Sequence, residues 1–576
     1  MNSSIQTLPK EVVNLIAAGE VIDSLAAVVR ELVENALDAK ATRIVVSVWS
    51  EQWRVRVADN GTGMSWADLQ QAANPHSTSK ICSSRDLWQI TSLGFRGEAL
   101  HSLATVAELE ILSRLAGSFE GWRVTYNCQG EPADIETVAI ASGTVVTVSD
   151  LFAAWPVRRQ GLPSAAQQLR AIQTTIGQIA LCHPQITWKI QQNGRDWFSL
   201  SPGSTAKEIL PQLLRQVRQT DLQQLTLTVP TPSSDDDHEE RQGRKSQSQI
   251  ELVLGLPDRC HRRRPDWVKV ATNGRLVRSP ELERTILGAM ARTLPRDRYP
   301  ICFVHLQTCP SQIDWNRHPA KAEIFLHSPN YWQEQLTGTI EQALRISTAN
   351  LPEAVHSQRV TNLLQVSEEK GGYNLSRQIQ ATPPADENTK SKEEVGLIEL
   401  RAIAQVHNMY ILAEHPTGMW LIEQHIAHER VLYEQLCDRW QLVPLETPIV
   451  LNQLKPTQQE QLQRLGLDIE PFGEQMWAVR SAPALLRTRD DCESAILELS
   501  LGGDLQTAQV ATSCRCAIRN GTPLNLSEMQ TLLEQWKATR NPRTCPHGRP
   551  IYLSLEESAL ARFFRRHWVI GKSHGI

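Results

Sequence analysis

Three features of the 576-residue sequence predict an α/β protein of two layers in series, joined to a separate α+β domain. Alternating β-branched strands are interleaved with amphipathic helical patterns through the N-terminal half. A polar, aromatic-poor stretch then interrupts the chain, and beyond it a strand runs straight into a helix. At roughly 100–200 residues per domain, the length allows about three or four folding units. Hydrophobic residues at 41% and charged residues at 21% supply several cores and leave little for wholesale disorder. Lys+Arg 59 against Asp+Glu 63 gives a net charge of −4. That excludes a globally basic nucleic-acid coat but not a local basic face. Eleven cysteines, odd in number and irregular in spacing, do not form a disulfide scaffold. They point to a reducing compartment, with some thiols open to metal. Met1–Lys10 lacks a signal-peptide profile, and no apolar run approaches the roughly 20 residues of a membrane span. A soluble, cytoplasmic protein without a membrane partner is the expectation.

In chain order, Val28–Ala39 reads as a helix, Thr42–Trp49 and Trp53–Ala58 as strands, and Thr144–Val148 as a further strand. After Phe152, helical patterns precede strands near Thr187–Gln191, Leu225–Val229 and Ile250–Leu254. The polar run Pro230–Gln249 reads as a mobile loop between two strands of one sheet. Residues from about Leu351 to Lys392 bury too little apolar surface to offset their ordering entropy and read as a linker. The expected domains are 1–215, 216–345 with the loop 230–249, a linker at 346–396, and 397–576.

On a helix, Val29, Leu32, Val33, Ala36 and Leu37 form an apolar stripe, with Glu31, Glu34, Asn35 and Asp38 on the opposite face. A solvated helix face accounts for the charges, but an Asn between carboxylates helps neither propensity nor packing. It suits a face that holds hydrated Mg²⁺ through the Asn oxygen while a carboxylate orients an attacking water. Asp59-Asn60-Gly61-Thr62-Gly63 reads either as a plain turn or as a strand end that aims Asp59 at an adenine amino group, the glycines admitting close backbone approach. Gly94-Phe95-Arg96-Gly97-Glu98-Ala99-Leu100 opens a helix-forming run and offers N–H groups to phosphate. No G-x-x-x-x-G-K-[ST] loop is present.

The order of these pieces, closed by Gly143-Thr144 before a strand, resembles the Bergerat-type nucleotide fold of gyrase-type topoisomerases, ninety-kilodalton heat-shock chaperones, histidine kinases and MutL mismatch-repair proteins. Leu8-Pro9-Lys10, Ile16–Ile22 (IAAGEVI), His76–Ile81, Asn273–Arg278 and His318–Lys321 are similar to MutL signatures. Lys40 stands where that family usually has Gly, Ser24-Leu25 replaces Arg-Pro, and Ser77 replaces Ala.

The resemblance implies a Bergerat-type ATPase sandwich followed by a second α/β transducer layer. It makes Glu31 the general base, Asn35 a Mg²⁺ ligand, Asp59 the adenine reader and Thr144 a support of the adenine pocket. Asp38, Gly61 and Gly63 join the ATP-binding set. Thr78, Ser79 and Lys80, with Gly94, Phe95, Arg96, Gly97, Glu98, Ala99 and Leu100, become a lid over the triphosphate, and Lys321 a γ-phosphate sensor. Turnover is expected to be slow, because lid ordering and dimer opening limit it.

In the C-terminal domain, Trp420–Glu434 is a strand running into a helix with His425 and Glu429 at i and i+4 and His428 beside them. Cys514, Cys545 and His547 complete a Zn²⁺-type donor set, although surface histidines and a buried thiol are the plain alternative. Together they resemble the metal-dependent endonuclease domain of many MutL proteins, whose signature is D-Q-H-A-x-x-E-x-x-x-x-E. The match puts His425, Glu429, Cys514, Cys545 and His547 in the metal shell, with Zn²⁺ or Mn²⁺, and Glu434 at the last acid. Glu423 stands where the family has Asp, as the candidate catalytic carboxylate, and Ile426 where it has Ala. Whether such a site nicks DNA or only keeps fold and metal is left open. Gln441–Leu445 resembles a peptide that docks on a sliding clamp, but also reads as an ordinary strand. Ala561–Trp568 reads as a terminal amphipathic helix.

Basic clusters at His261–Arg264, Arg158-Arg159 and Arg275 with Arg278 are candidates for phosphate contacts to DNA without base readout, or solvated surface. The expectation is an ATP-operated mismatch-repair protein, homodimeric through its C-terminal domains. ATP would order the lid and the arm Asn2–Leu8, close the N-terminal halves on DNA, and pass a signal from a MutS-type recogniser to incision, helicase or clamp partners. A matchmaker without nuclease activity, a chaperone and a topoisomerase subunit are the alternatives.

Overall fold

The computed structural model describes residues 8–81, 83, 86, 89–232, 247–314, 324–346, 397–416, 418–557 and 560. Lys321, most of the arm Asn2–Leu8, the linker from 347 to 396 and the helix expected at Ala561–Trp568 lie outside the described residues. The chain splits into two compact units: Met1–Gly255, Pro265–Gly288 and Ile301–Thr339; and Leu256–Arg264, Ala289–Pro300 and Ile340–Ile576. Among the described residues no single helix is long and apolar enough to cross a membrane.

The first unit begins with helices α1 (Lys10–Val21) and α2 (Leu25–Asp38), strands β1 (Arg43–Trp49) and β2 (Arg54–Asp59), and helices α3 (Trp66–Gln71) and α4 (Ala99–Val106). Strands β3 (Glu108–Arg114), β4 (Gly121–Tyr126), β5 (Pro132–Val138) and β6 (Gly143–Ser149) follow, then α5 (Pro156–Gln160), α6 (Ala165–Cys182), β7 (Thr187–Gln192), β8 (Arg195–Leu200) and α7 (Ala206–Leu213). The strands make one eight-stranded sheet in the order β5-β4-β3-β6-β2-β1-β7-β8. Ile44, Val46 and Val48 alternate into the core, and α2 packs Val28, Val29, Leu32, Val33 and Ala36 against the sheet and α6. Ser24, the departure from the family's Arg, caps α2: its hydroxyl accepts from the Ala27 N–H at 3.2 Å. Lys40, where the family has Gly, adopts φ 58°, the left-handed region in which a glycine is less strained. The strand expected at 187–191 lies parallel to β1, so α6 is a crossover and the first sheet runs on to Leu200.

Strands β9 (Leu222–Pro230) and β10 (Gln247–Gly255) pair antiparallel over their length, as the alternation bracketing the polar run requires, while 233–246 lie outside the described residues. After a two-residue β11 (His261–Arg262) come β12 (Val268–Thr272), β13 (Arg275–Val277), helix α8 (Pro280–Met290), a two-residue β14 (Tyr299–Pro300), β15 (Cys302–Gln307), and the short antiparallel pair β16 (Ile313–Asp314) and β17 (Phe325–Leu326). The second sheet has the order β13-β12-β15-β10-β9.

In the second unit, β18 (Arg401–Val406), β19 (Tyr410–His415), β20 (Gly418–Glu423) and β24 (Tyr552–Glu556) form a four-stranded sheet in that order. Helix α9 (Gln424–Asp438) continues directly from β20, and helix α10 (Leu526–Lys537) packs beside it. Trp420, Ile422, Ala427, Leu533 and Trp536 fill the core between them, with Trp420 stacked on Tyr552 at 4.3 Å. The opposite face of the sheet leaves Met419 and Leu553 exposed. A three-stranded sheet of β21 (Leu442–Asn452), β23 (Met476–Pro483) and β22 (Ile469–Gly473) carries its own core. Gln441–Leu445 thus enters an edge strand, with Leu442 and Leu445 packed on that core. This is the ordinary-strand reading, and the clamp reading gains no support from it.

Candidate active site and candidate metal centre

A cleft of about 1040 Å³ opens between α2, the end of β2 and the segments 76–80 and 91–100. It lies at the upper end of the roughly 300–1,000 Å³ usual for ligand pockets. Glu31, Asn35, Asp38, Asp59, Gly63, Thr78, Ser79, Lys80, Thr144 and the whole run Gly94–Leu100 line it. Gly61 does not; it lets the turn pack on Ala39, whose carbonyl oxygen would lie 2.7 Å from an added Cβ. Gly63, at φ 71°, is similarly demanded by the Arg114 carbonyl. Both glycines meet demands of the protein's own backbone, and Gly63 also lines the cleft.

The polar side of α2 is not a solvated face. Glu31 is 7% exposed and Glu34 5%, so both carboxylates are held in the fold and need partners. Glu31 pairs weakly with Arg30 at 3.4 Å. The Asn35 Oδ1 accepts from Lys80 Nζ at 3.1 Å. Asp38 makes three hydrogen bonds to two segments: its Oδ2 accepts from Lys80 Nζ at 2.5 Å and from the Gly94 N–H at 2.9 Å, and its Oδ1 from the Leu93 N–H at 2.9 Å. Asp38 therefore anchors the root of the glycine loop. An oxygen on Asn35 that already holds an ammonium, facing a cleft, is chemistry that fits a bound cation.

Asp59 ends β2 opposite Thr144. Burial raises its carboxyl above the ordinary range, against the lowering effect of the Gly61 and Thr144 backbone N–H groups. The Thr144 hydroxyl shares a hydrogen bond of 2.9 Å with Ser113. Gly97, at φ 66°, folds against Ser77, and His76 meets Glu98 at 3.3 Å, so the two lid segments touch. Helix α4 starts at Ala99 with no side-chain cap on its first turn among the described residues, and Glu98, Ala99 and Leu100 line the cleft, so its N-terminus is placed where an anion could use it.

The residue that sequence reasoning misplaced is Arg275. Expected on a DNA-facing surface, it is 8% exposed: its Nη2 donates to Glu34 Oε2 at 2.5 Å and to the Leu93 carbonyl at 2.6 Å. Glu34, passed over as a site residue, is its partner. A lone arginine after Asn-Gly carries no local sign of burial; only the long-range pair shows it. Arg158 is likewise engaged, donating to the Gly19 carbonyl and lying over the Phe152 and Trp155 rings. Arg263, Arg264 and Arg278 remain exposed.

In the second unit, ligand atoms of Glu429, Cys545 and His547 lie within 4.8 Å of one another. Glu429 is fully buried, and among the described residues neither of its oxygens has a well-aligned hydrogen bond; His547 Nδ1 forms an ion pair with Oε1 at 2.9 Å. Burial pushes the Glu429 carboxyl up, but His547, His425 and Arg549 outweigh it and hold it below the ordinary value. The His547 imidazole is raised to about 9 by Cys545 and then Glu429. Burial, then Glu429, pushes the Cys514 thiol up to about 11. A fully buried carboxylate beside two thiols and an imidazole fits a Zn²⁺-type ion.

The neighbouring histidines are distinguished by their bonds. His425 Nδ1 must donate to the Ile518 carbonyl at 2.9 Å, which leaves the Nε2 lone pair for a metal. His428 Nδ1 accepts from the Ile518 N–H at 3.0 Å, so in its neutral form Nε2 carries the proton. Glu423 caps α9: its Oε2 accepts from the Ile426 N–H at 2.7 Å, while Oε1 is buried without a hydrogen-bond partner among the described residues. Glu434 accepts from the backbone N–H groups of Arg540 and Asn541, a structural use of the signature's last acid.

Residues 23–147 match the family of histidine kinase-, DNA gyrase B- and HSP90-like ATPases, 234–345 the C-terminal domain of DNA mismatch repair proteins, and 403–524 the MutL C-terminal dimerisation domain. The chain is 64% identical over 576 residues to the DNA mismatch repair protein MutL of a Nostoc species, covering 100% of each chain. It is 66% identical to that of Nostoc punctiforme, again covering 100% of each. A crystal structure of the N-terminal domain of a DNA repair protein aligns with 57% of this chain and 96% of its own, at 23% identity and a TM-score of 0.48.

Proposed function

Because the chain belongs to the MutL family of DNA mismatch repair proteins, with its ATPase and C-terminal dimerisation domains, we propose residue roles for its ATP hydrolysis and for its C-terminal centre. Asp59 accepts from the adenine amino group, with Thr144 beside it. Asn35 offers its oxygen to Mg²⁺, and the buried Glu31 orients and deprotonates the attacking water. Lys80, Arg96 and the N–H groups from Gly97 to the start of α4 surround the phosphates. Mg²⁺, when bound, neutralises phosphate charge; the protein's share is positioning and electrostatics. The γ-phosphate contact of Lys321 belongs to the same proposal. The observation that carries this reading is the convergence of Glu31, Asn35, Asp59 and the glycine loop on one cleft. The test is Glu31→Ala, which should bind a fluorescent ATP analogue like wild type and hydrolyse ATP about 10²-fold more slowly or worse. Unchanged turnover would remove Glu31 from the base role.

A dimerisation domain implies a homodimer acting in mismatch repair. We place its constitutive contact on the apolar outer face around Met419 and Leu553, and the ATP-dependent one on α1, where Val12, Val13 and Ile16 are exposed. DNA phosphates would meet exposed arginines such as Arg278, and the signal would come from a MutS-type recogniser and pass to helicase or clamp partners in the cytoplasm. In the C-terminal domain, His425, Glu429, Cys514, Cys545 and His547 are the proposed holders of a Zn²⁺- or Mn²⁺-type ion. Such an ion would supply Lewis acidity. A nicking activity is favoured over a pure matchmaker by the Glu423 Oε1, a buried carboxylate oxygen without a hydrogen-bond partner among the described residues, beside this cluster in sequence.

A further inference from the structure

We propose that Arg275 is a positioning residue for ATP hydrolysis: it ties the base-bearing turn of α2 to the root of the glycine loop, and makes the second sheet move with the state of the cleft. The inference rests on the ATP-site reading above. Glu34 lies one turn beyond Glu31 and next to Asn35, yet neither Glu34 nor Arg275 lines the cleft. Their pair therefore acts through backbone. A single guanidinium nitrogen donates both to Glu34 on α2 and to the Leu93 carbonyl, while the Leu93 and Gly94 N–H groups are held by Asp38 on the same helix. Displacing the glycine loop from its present place must lengthen the Leu93 contact or drag Arg275 with it.

Arg275 is itself set on a stiff mount. It follows the Asn273-Gly274 turn, whose φ values of 46° and 83° suit the tight turn between β12 and β13. The Asn273 side chain is bonded both ways to Thr308, each at 2.9 Å. The Gly274 N–H donates to His305 Nε2 at 2.9 Å, and its carbonyl accepts from His183 Nε2 at 2.9 Å. His183 follows α6 directly, so the turn is braced by β15 on one side and by the end of α6 on the other. A post fixed at its base and bridging two parts of the site transmits displacement instead of absorbing it.

The experiment uses the full-length protein and compares wild type, Arg275→Gln, Arg275→Lys and Glu34→Gln. Folded Arg275→Gln should bind a fluorescent ATP analogue within about threefold of wild type but lose about tenfold or more in kcat, since displacement of the base is felt in the chemical step. Arg275→Lys, which keeps the charge, should recover most of that loss. Hydrogen exchange of residues 268–278 should change when a non-hydrolysable ATP analogue is added to wild type and should not change in Arg275→Gln. If Arg275→Gln does not fold, Glu34→Gln, which keeps shape and an acceptor, should show the same kcat loss. Exchange at 268–278 that ignores the nucleotide in wild type overturns the inference whatever the variants do; so does unaltered kcat in folded Arg275→Gln or Glu34→Gln. Failure of wild type to bind the analogue at all would instead overturn the ATP reading beneath it.

Discussion

Acidification should loosen the turn that carries Arg275, and His305 sets the size of the effect. Burial, then the neighbouring His183, lowers the His305 imidazole from 6.5 to about 4, and the neutral ring is what accepts the Gly274 N–H. A histidine held neutral contributes its stability in full above pH 6.5 and loses it as the pH falls towards its folded value. Between those limits the unfolded chain takes a proton that the folded chain refuses. By a pH of about 4.5 this removes roughly 2–3 kcal/mol. His183, also lowered chiefly by burial, acts in the same direction; Glu251, raised by burial, opposes it. His305→Gln keeps an acceptor for Gly274 without a titrating proton. Urea unfolding of both proteins at a pH of about 7.5 and about 4.5, read by pulsed hydrogen exchange at residues 268–278, isolates the term as a difference. The variant should lose roughly 2–3 kcal/mol less than wild type on acidification. Equal losses would show that His305 is not the source and that the neutral-ring account of the turn is wrong.

Asn35→Ala should weaken Mg·ATP binding by about tenfold or more while leaving the fold intact, because its oxygen faces the cleft and supports no core contact; calorimetry showing wild-type affinity would count against the ligand role. For the C-terminal domain, Mn²⁺-dependent nicking of supercoiled plasmid should fall to background in Glu423→Asn, which retains a capping oxygen for the Ile426 N–H. Equal product from both proteins would mean that Glu423 does not take part in cleavage.

Much of the site could be read from the residues alone. Alternating Val and Ile located β1, β2 and β6 to within a residue, and the apolar stripe in Val28–Ala39 marked the helix that runs Leu25–Asp38, though not its first turn. The glycine loop, the Asp59 turn and the lid Thr78–Lys80 do converge on one cleft. What local pattern did not disclose depends on distant partners. Glu31 and Glu34 look like a wet helix face until the second sheet and the lid are laid over them. Asp38 gives no local sign that its oxygens hold the Leu93 and Gly94 N–H groups, which lie more than fifty residues away. His425 and His428 are indistinguishable by spacing. They differ in which backbone group of Ile518 each one meets, some ninety residues away. The placement of β7 was equally hidden, since nothing in its sequence tells it to run alongside β1.

That last pairing decides where the nucleotide-binding half can be cut. Its recognisable motifs end at Thr144, but the hydrogen-bonding edge of β1 is covered only when β7 returns to it, about forty residues later. A fragment stopped at Ser149 would present Arg43–Val48 as a bare ladder flanked by Ile44, Val46 and Val48, an invitation to stick to its own copies. The smallest soluble piece is therefore fixed by the closing hairpin at Leu200, well beyond the final chemical group it contains.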